Sequence, residues 1–365
     1  MNTHTVHTHT IHSHTIHTDT PVIPADDYDT TAFYAAPDTI ATVTHTTAPD
    51  AVPLPSPTAS TADVLAAVQE AGRRAVPAPF AETALVARPL LRRVGLPVPG
   101  GALTYAIAPE LTIRYARPAA SAVGSAGCSG EDDTLLVTGT LRRVPWARAA
   151  TAVIVLATAP SGPVLFTLDP DRTVLTPGGN LADEPRDDLH LTALEIPASQ
   201  VRRIPRHLLD EAEHRAALAR AALIAGAAER CTELTVAHTT ARTQFGRPLS
   251  RFQAVKQEQA RLIEETALVS AAVQAAAVPL DTGGPAATFA VAAAKTQASA
   301  SAAEIARIAH QLHGAIGITR LSPLHLATTR LWSWRDEDGD ENSWAVRLAR
   351  SVTATTLWPA LTTTP

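Results

Sequence analysis

Apolar residues recur along this chain in three textures. Between residues 62 and 96 they keep helical spacing: Val64, Leu65 and Val68 share a face, and Asp63 stands where a cap is expected. Pro77 and Pro79 in "AVPAPF" break that run. A second helix, over roughly 80–94, carries Leu85, Leu90 and Leu91 and ends at "GLPVPGG". From about 101 to 200 the pattern shortens. "LTYAI", "LTIRYA", "DTLLVTG", "AVIVLAT" and "PVLFTL" are β-branched runs separated by Gly, Pro, Ser or Asp. They predict five to seven strands in a small barrel or sandwich.

After "VRRIP" the helical spacing returns and persists. Residues 208–240, 249–277, 286–313 and 323–350 read as four long helices, interrupted at "FGRP", "PLDTGGP" and "HGAIG". Leu262, Val269 and Val273 lie seven and four apart, as one buried stripe requires. Long helices on short connections predict an antiparallel four-helix bundle. The expected class is α+β and mainly helical. A short N-terminal helical domain (61–100) is followed by a β domain (101–203) and the bundle (204–355). A His/Thr/Pro-rich segment (1–60) and a tail (356–365) flank them.

Composition changes this picture only at its ends. Apolar residues make up 45% and charged residues 18% of the 365, enough for a real core. Residues 1–60 alternate His and Thr and then run through Thr, Ala, Pro and Asp; they lack the large apolar side chains that offset ordering entropy. Six histidines between His4 and His17 could gather a metal ion only non-specifically. A formal charge of −5 argues against a polyanion binder. Cys128 and Cys231 fit no metal spacing and read as reduced thiols. No uninterrupted apolar run approaches the roughly 20 residues of a membrane span, and no secretion signal is visible, so cytoplasm is the expected compartment.

Two motifs stand out against the alanine-rich helices. In "ARTQFGRPLSRFQAV" (241–255), Gly246 permits a tight turn and Pro248 suits the first position of a helix. Turn geometry does not account for Arg242, Gln244, Phe252 and Gln253, although an arginine at a helix C-terminus is favoured by the dipole alone. In "HQLHGAIGITRLSPLH" (310–325), Gly314 and Gly317 interrupt a helix beside Gln311 and His313. Such glycines serve a helix end or a close backbone approach.

In order and separation these motifs resemble the acyl-CoA dehydrogenases, FAD flavoproteins built from a helical domain, a β domain and a C-terminal four-helix bundle. The resemblance rests on Arg-x-Gln-Phe-Gly-x-Pro-Leu, on Phe252-Gln253, and on Gln-x-His-Gly-x-x-Gly about 60 residues later. Weaker echoes are "GTLRRVPWARAATAVIVLA" and "NLADEPRDDL". It is similar to the short actinobacterial type, in which "RLWSWRDE" follows the glycine cluster, and it covers roughly residues 62–355. It implies that Arg242 and Gln244 reach the FAD diphosphate of a neighbouring subunit, and that Phe245, Leu249, Phe252 and Gln253 surround the adenosine. Gln311, Gly314 and Ala315 match a Gln-x-x-Gly-Gly whose backbone approaches the cofactor, with Ala315 in place of the second glycine. A guanidinium suits a diphosphate. At least a dimer is implied.

The resemblance also implies α,β-dehydrogenation of an acyl-CoA in fatty-acid, steroid or polyketide-type metabolism. A carboxylate takes the α-proton and the β-hydride goes to flavin N5. The position of that base falls on Asp338, one methylene shorter than the family's glutamate, with Glu337 and Glu341 as neighbours able to substitute. The other family position for a base falls on Ala216, with Glu211 and Glu213 nearby. "SAVGSAGCSGEDD" (121–133) is the candidate loop for the flavin ring. Trp332, Trp334 and Trp344 read as bundle packing or as the wall of an acyl pocket. An electron-transfer flavoprotein would reoxidise the flavin. Two further readings remain open. The chain could be a non-catalytic subunit that completes the FAD site of a related partner in a homo- or heteromeric dimer or tetramer, or it could be a flavin monooxygenase of the same fold.

Overall fold

The computed structural model describes residues 52–108, 110–115 and 134–352. The His/Thr segment up to residue 51, Cys128, the 121–133 loop and the tail from 356 lie outside the described residues. Helix α1 spans Thr61–Arg73. Its N-cap is Ser60 rather than Asp63: the Ser60 side chain accepts from the Asp63 N–H, and the Asp63 carboxylate accepts from the Ser60 backbone, a reciprocal capping box. The next helical segment opens as a π-helical turn, Glu82–Ala87, and continues as α2, Arg88–Arg93.

Among the described residues that follow are eight strands: β1 Leu103–Ile107, β2 Thr112–Tyr115, β3 Leu135–Pro145, β4 Ala152–Ala159, β5 Gly162–Leu168, β6 Val174–Thr176, β7 Arg186–Ile196 and β8 Val201–Arg203. They form two four-stranded sheets, ordered β1-β4-β5-β8 and β2-β3-β7-β6, so of barrel and sandwich the described strands make the latter. Strand β4 explains the layering. Val153, Val155 and Ala157 join the core between the two sheets, whereas Ile154 and Leu156 join the core shared with the helices. Burial on both faces is why "AVIVLA" reads as a continuous apolar run.

The C-terminal half contains α3 Arg206–Ala241, α4 Gln253–Ala275, α5 Ala277–Thr282, α6 Gly284–His313, α7 Leu324–Asp336 and α8 Glu341–Ser351. Two expectations need correcting. Pro248 does not open α4; it pairs with Thr243 in a small hairpin, Thr243–Gln244 against Arg247–Pro248. Phe245 and Gly246 at its tip have φ of 52° and 77°, the positive pair that a two-residue type I′ turn demands. The expected helix 323–350 is two helices. Asp338 (φ 54°) and Gly339 (φ 93°) turn the chain, and Asp340 caps α8 through the Ser343 N–H. The stripe of Leu262, Val269 and Val273 is fully buried. Elsewhere α4 is largely exposed, with Ile263 51% and Leu268 47% open. The stretch Gln253–Thr282 is long and apolar enough, by composition, to cross a membrane, with a third of its most apolar window buried.

Helix α1 crosses α3 where both carry glycine. A Cβ on Gly226 would lie 1.8 Å from the Gln69 carbonyl oxygen, and one on Gly72 would lie 2.4 Å from that of Leu223. The obstructing atoms are backbone, so neither helix can yield locally. We expect Gly226→Ala to cost about 1–3 kcal/mol or more through overpacking, read as a lower denaturant midpoint and faster proteolysis within α1. Gly100→Ala, where an added Cβ meets nothing within 4 Å, should stay within about 0.5 kcal/mol of the parent.

Candidate active site

A cavity of about 900 Å³ opens where the first sheet, the bulged strand β3, the 179–181 turn, α3 and the end of α7 meet. That is the upper range for small-molecule sites. Tyr105, Arg142, Arg143, Arg186, Arg220 and Asp338 line it, with Trp332 among its apolar walls.

Its floor is an ion network drawn from five parts of the chain. Arg220 projects from the alanine run of α3 and is 1% exposed. Its Nε donates to Asp338 Oδ2 at 2.8 Å and lies 3.2 Å from Glu337 Oε2, while Nη1 sits 2.8 Å from Glu82 Oε1. The Tyr105 hydroxyl donates to the same Asp338 Oδ2 at 2.7 Å. Arg186 grips Glu337 with two bonds, 2.9 and 2.7 Å, and Asn180 Nδ2 adds a third at 3.0 Å. Behind them, buried Glu184 accepts from Arg186, Arg330 and the Trp334 indole. The backbone of the turn is held too: the Trp344 indole donates to the Asp338 carbonyl at 2.8 Å, and any side chain at Gly339 would collide with that indole.

These contacts set protonation states. Burial pushes the Glu337 carboxyl up, but Arg220 and Arg186 outweigh it and hold it below its ordinary range. Burial and the Asp338 charge push the Tyr105 phenol well up, so it remains a donor. Burial would lower Arg220, but Glu82 and its other neighbours more than offset this. Beneath the floor, Lys295 Nζ donates to the carbonyls of Trp334 and Arg335 at 2.9 Å each, capping the last turn of α7. Burial pulls that ammonium down to about 8.

The two sequence motifs meet elsewhere, at the far end of α3. His238, one turn before Arg242, stacks on His313 at the end of α6, with ring centroids 4.5 Å apart. Burial lowers both imidazoles, His313 to about 4. Around this pair, Arg242, Gln244, Gln253, Gln311, Gly314 and Ala315 are exposed, and Leu249 and Phe252 half-buried. Phe245 is 90% exposed and meets Phe252 edge-on. Arg242 makes no ion pair among the described residues. A Cβ on Gly314 (φ 66°) would meet nothing within 4 Å, so the backbone there is open to a ligand. An arginine with no ion pair, one exposed aromatic ring and accessible backbone suit a dinucleotide. The cavity and this group are far apart: Arg242 lies 22 residues beyond Arg220, roughly 33 Å along a helix.

The structure thus places Asp338 and Glu337 in the cavity and leaves Glu341 exposed in the first turn of α8, outside it. Ala216 is buried; Glu211 pairs with Arg215 and Arg93, and Glu213 with Arg347. Trp334 and Trp344 pack and donate to the network; only Trp332 reaches the cavity. Cys231 is a buried free thiol, pushed by burial up to about 12. Among the described residues no cluster of His, Cys, Asp and Glu could hold a metal. Sequence reasoning missed Glu82, Tyr105, Arg186, Arg220 and Lys295. A lone arginine in "AALARAALIAGAA" and a lone lysine in "VAAAKTQASA" were the available signals, because an unpaired charge does not stay in an apolar run.

Residues 210–352 match the family model described as acyl-CoA dehydrogenase, C-terminal domain. Acyl-CoA dehydrogenase IpdE2 of Mycobacterium tuberculosis is 43% identical over 111 residues, covering 30% of this chain and 33% of that protein. The match therefore spans about a third of the relative's length. Among solved structures, the ChsE4-ChsE5 complex from Mycobacterium tuberculosis aligns with a TM-score of 0.68 and 22% identity, covering 83% of this chain and 81% of that one. Butyryl-CoA dehydrogenase from Megasphaera elsdenii aligns with a TM-score of 0.68 and 18% identity, covering 81% and 82%.

Lys295 gives the site a measurable pH signature. Its folded value, about 8, lies below its ordinary 10.5. Between those values the unfolded chain still binds a proton that the folded chain has released, so stability rises with pH across the window. The contribution is fully present above 10.5 and lost as pH falls through 8. We expect the melting temperature of the parent, relative to a Lys295→Met variant, to climb from pH 7.5 to 9.5.

Proposed function

Because residues 210–352 belong to the acyl-CoA dehydrogenase C-terminal domain family, on a chain with the acyl-CoA dehydrogenase fold, we propose that this protein is a subunit of an FAD-dependent acyl-CoA dehydrogenase. Its own contribution is to complete the cofactor site of a related sister chain. One observation carries this reading: Arg242 and its neighbours stand roughly 33 Å along α3 from the cavity of their own chain. A dinucleotide held at that end belongs to another protomer's cavity.

The roles follow from residue chemistry. The Arg242 guanidinium would take the diphosphate, with Gln244 donating beside it. Phe245, Leu249 and Phe252 would wall the adenosine, and Gln253 would hydrogen-bond it. Gln311, Gly314 and Ala315 would bring backbone close from the second helix end. When bound, FAD supplies the hydride acceptor for oxidation of the Cα–Cβ bond of an acyl thioester. The proton must go to a carboxylate, and both candidates in this chain are occupied. Glu337 is held by Arg186 and Asn180, and Asp338 by Arg220 and Tyr105. A sister chain with a free carboxylate would therefore perform that step, an electron-transfer flavoprotein would collect the electrons, and the assembly would work in the cytoplasm.

A second reading keeps the chemistry in this chain. Asp338 lines the cavity and both its donors fall on Oδ2, which favours Asp338 as its base. The readings separate by experiment. The protein is purified alone and with a dehydrogenase-like partner, its flavin absorbance is measured, and an acyl-CoA is added without oxygen. We expect stable flavin only in the pair, and Arg242→Ala to weaken flavin binding ten- to a hundredfold, as the loss of a charge-assisted bond implies. Bleaching should survive Asp338→Asn. Flavin held and bleached by the chain alone, and lost with Asp338→Asn in a protein that still melts cooperatively, would establish the second reading instead.

A further inference from the structure

The stacked imidazoles at the outer end of α3 have room for one proton. The rings of His238 and His313 lie 4.5 Å apart with their planes 18° from parallel. Two imidazoliums in that arrangement would repel each other strongly, so the pair carries at most one. Surroundings decide which ring takes it. His313 is 8% exposed, and its Nδ1 lies 2.8 Å from the Ala309 carbonyl oxygen. A carbonyl only accepts, so Nδ1 already bears the hydrogen of the neutral ring, and burial lowers this imidazole to about 4. His238 is half-buried and stands in the last turn of α3, where the helix carbonyls favour a cation. The proton of the pair therefore belongs to His238.

The groups around the pair contribute little negative charge. On α6, His310 acts on His313 and bonds Thr328 of α7 at 3.1 Å. From α4, Gln259 brings a neutral amide, which donates to Thr239 beside His238 at 2.6 Å. On the hairpin side, Arg247 lies over the Phe252 ring, 4.1 Å from its centroid. Burial and, after it, the Arg242 guanidinium hold His238 below its ordinary 6.5. An anion bound to Arg242 cancels that opposition and adds attraction of its own. Such coupling is reciprocal: what favours the proton in the complex makes the proton favour the anion.

We propose that His238 is a second positive group of the dinucleotide half-site: protonated and stacked on neutral His313, one helical turn from Arg242, it joins that guanidinium in holding the diphosphate, so that binding draws up to one proton from solvent. The proposal rests on the half-site reading above and adds a proton to it. The direction follows. In the complex His238 titrates at a higher pH than in the free chain. Between the two values the complex holds a proton that the free chain lacks, so affinity rises as pH falls through that window. Above the window this group makes binding independent of pH.

The test is calorimetric titration of the full chain with ADP-ribose, in pairs of buffers that differ in ionisation heat, so that proton uptake is read directly. ADP-ribose carries the adenosine diphosphate portion of FAD, and its diphosphate is esterified at both ends. ADP would not serve, because a terminal phosphate titrates at about pH 6. We expect proton uptake at pH 6 that disappears at pH 8, and binding about fivefold tighter at pH 5.5 than at pH 8. Arg242→Ala should weaken binding at every pH. His238→Phe keeps a ring against His313 but cannot take a proton; it should show no uptake and equal affinity at both pH values. His238→Gln replaces it if that variant does not fold. His313→Phe leaves His238 free to titrate and should retain the uptake. Binding that depends on Arg242 but takes up no proton, or uptake that survives the loss of His238, overturns the His238 assignment and leaves the half-site reading standing. No binding of ADP-ribose, or binding indifferent to Arg242→Ala, overturns both.

Discussion

The structure depends on keeping one guanidinium, that of Arg220, out of water. Burying such an ion costs several kcal/mol even after relaxation, and attraction repays it only when partners are close and well oriented. Those partners come from distant parts of the chain: Glu82 from the π-helical turn, and Asp338 from the turn between α7 and α8. Tyr105 on β1 completes the group through the Asp338 oxygen. The N-terminal helices, the β domain and the bundle must therefore meet at one point, and the cavity lies there. Glu184 and Glu337 repeat the device with Arg186 and Arg330, tying the 180–186 segment to α7.

The same interaction restricts chemistry. A carboxylate that neutralises a buried arginine is held in its charged form by that arginine, as the lowered Glu337 shows. Proton abstraction needs the reverse, a carboxylate whose proton affinity is matched to its task. Stability and base chemistry thus make opposite demands on Glu337. The geometry is arranged for stability: the donors are in place, the turn is pinned by the Trp344 indole, and Gly339 has no room for a side chain.

The sequence revealed what has a local period and concealed what does not. Strands such as Leu103–Ile107 and Ala152–Ala159 announce themselves as short, nearly continuous buried runs, and the stripe of Leu262, Val269 and Val273 through its spacing of seven and four. The end of α3 was legible because Gly246 and Gly314 mark chain reversals beside polar residues that a reversal does not require. Pro248 misled, since the fixed φ that starts a helix also fits an extended hairpin arm. The break at 337–340 was hidden in a charge run inside the expected helix 323–350; three of its carboxylates are spent on a turn, a buried ion pair and a cap. The floor network has no local signature at all. Residues 82, 105, 220 and 338 become neighbours only once the fold exists.

Helix α3 joins these two halves of the problem. It carries Arg220 into the cavity and Arg242 to the outer end, and a helix of 36 residues fixes the spacing between them. The buried network anchors one end against three parts of its own chain. The other end, steadied by the stacked His238 and His313, then presents Arg242 at a defined place beyond the bundle. The cofactor sharing proposed above would need that rigidity, because one protomer would grip the diphosphate while the reacting ring lay in the other. Burying Arg220 so expensively makes sense on this view. It ties α3 to the π-helical turn, to β1 and to the 337–340 turn at once, so the helix end that carries Arg242 keeps a fixed place relative to the rest of the chain.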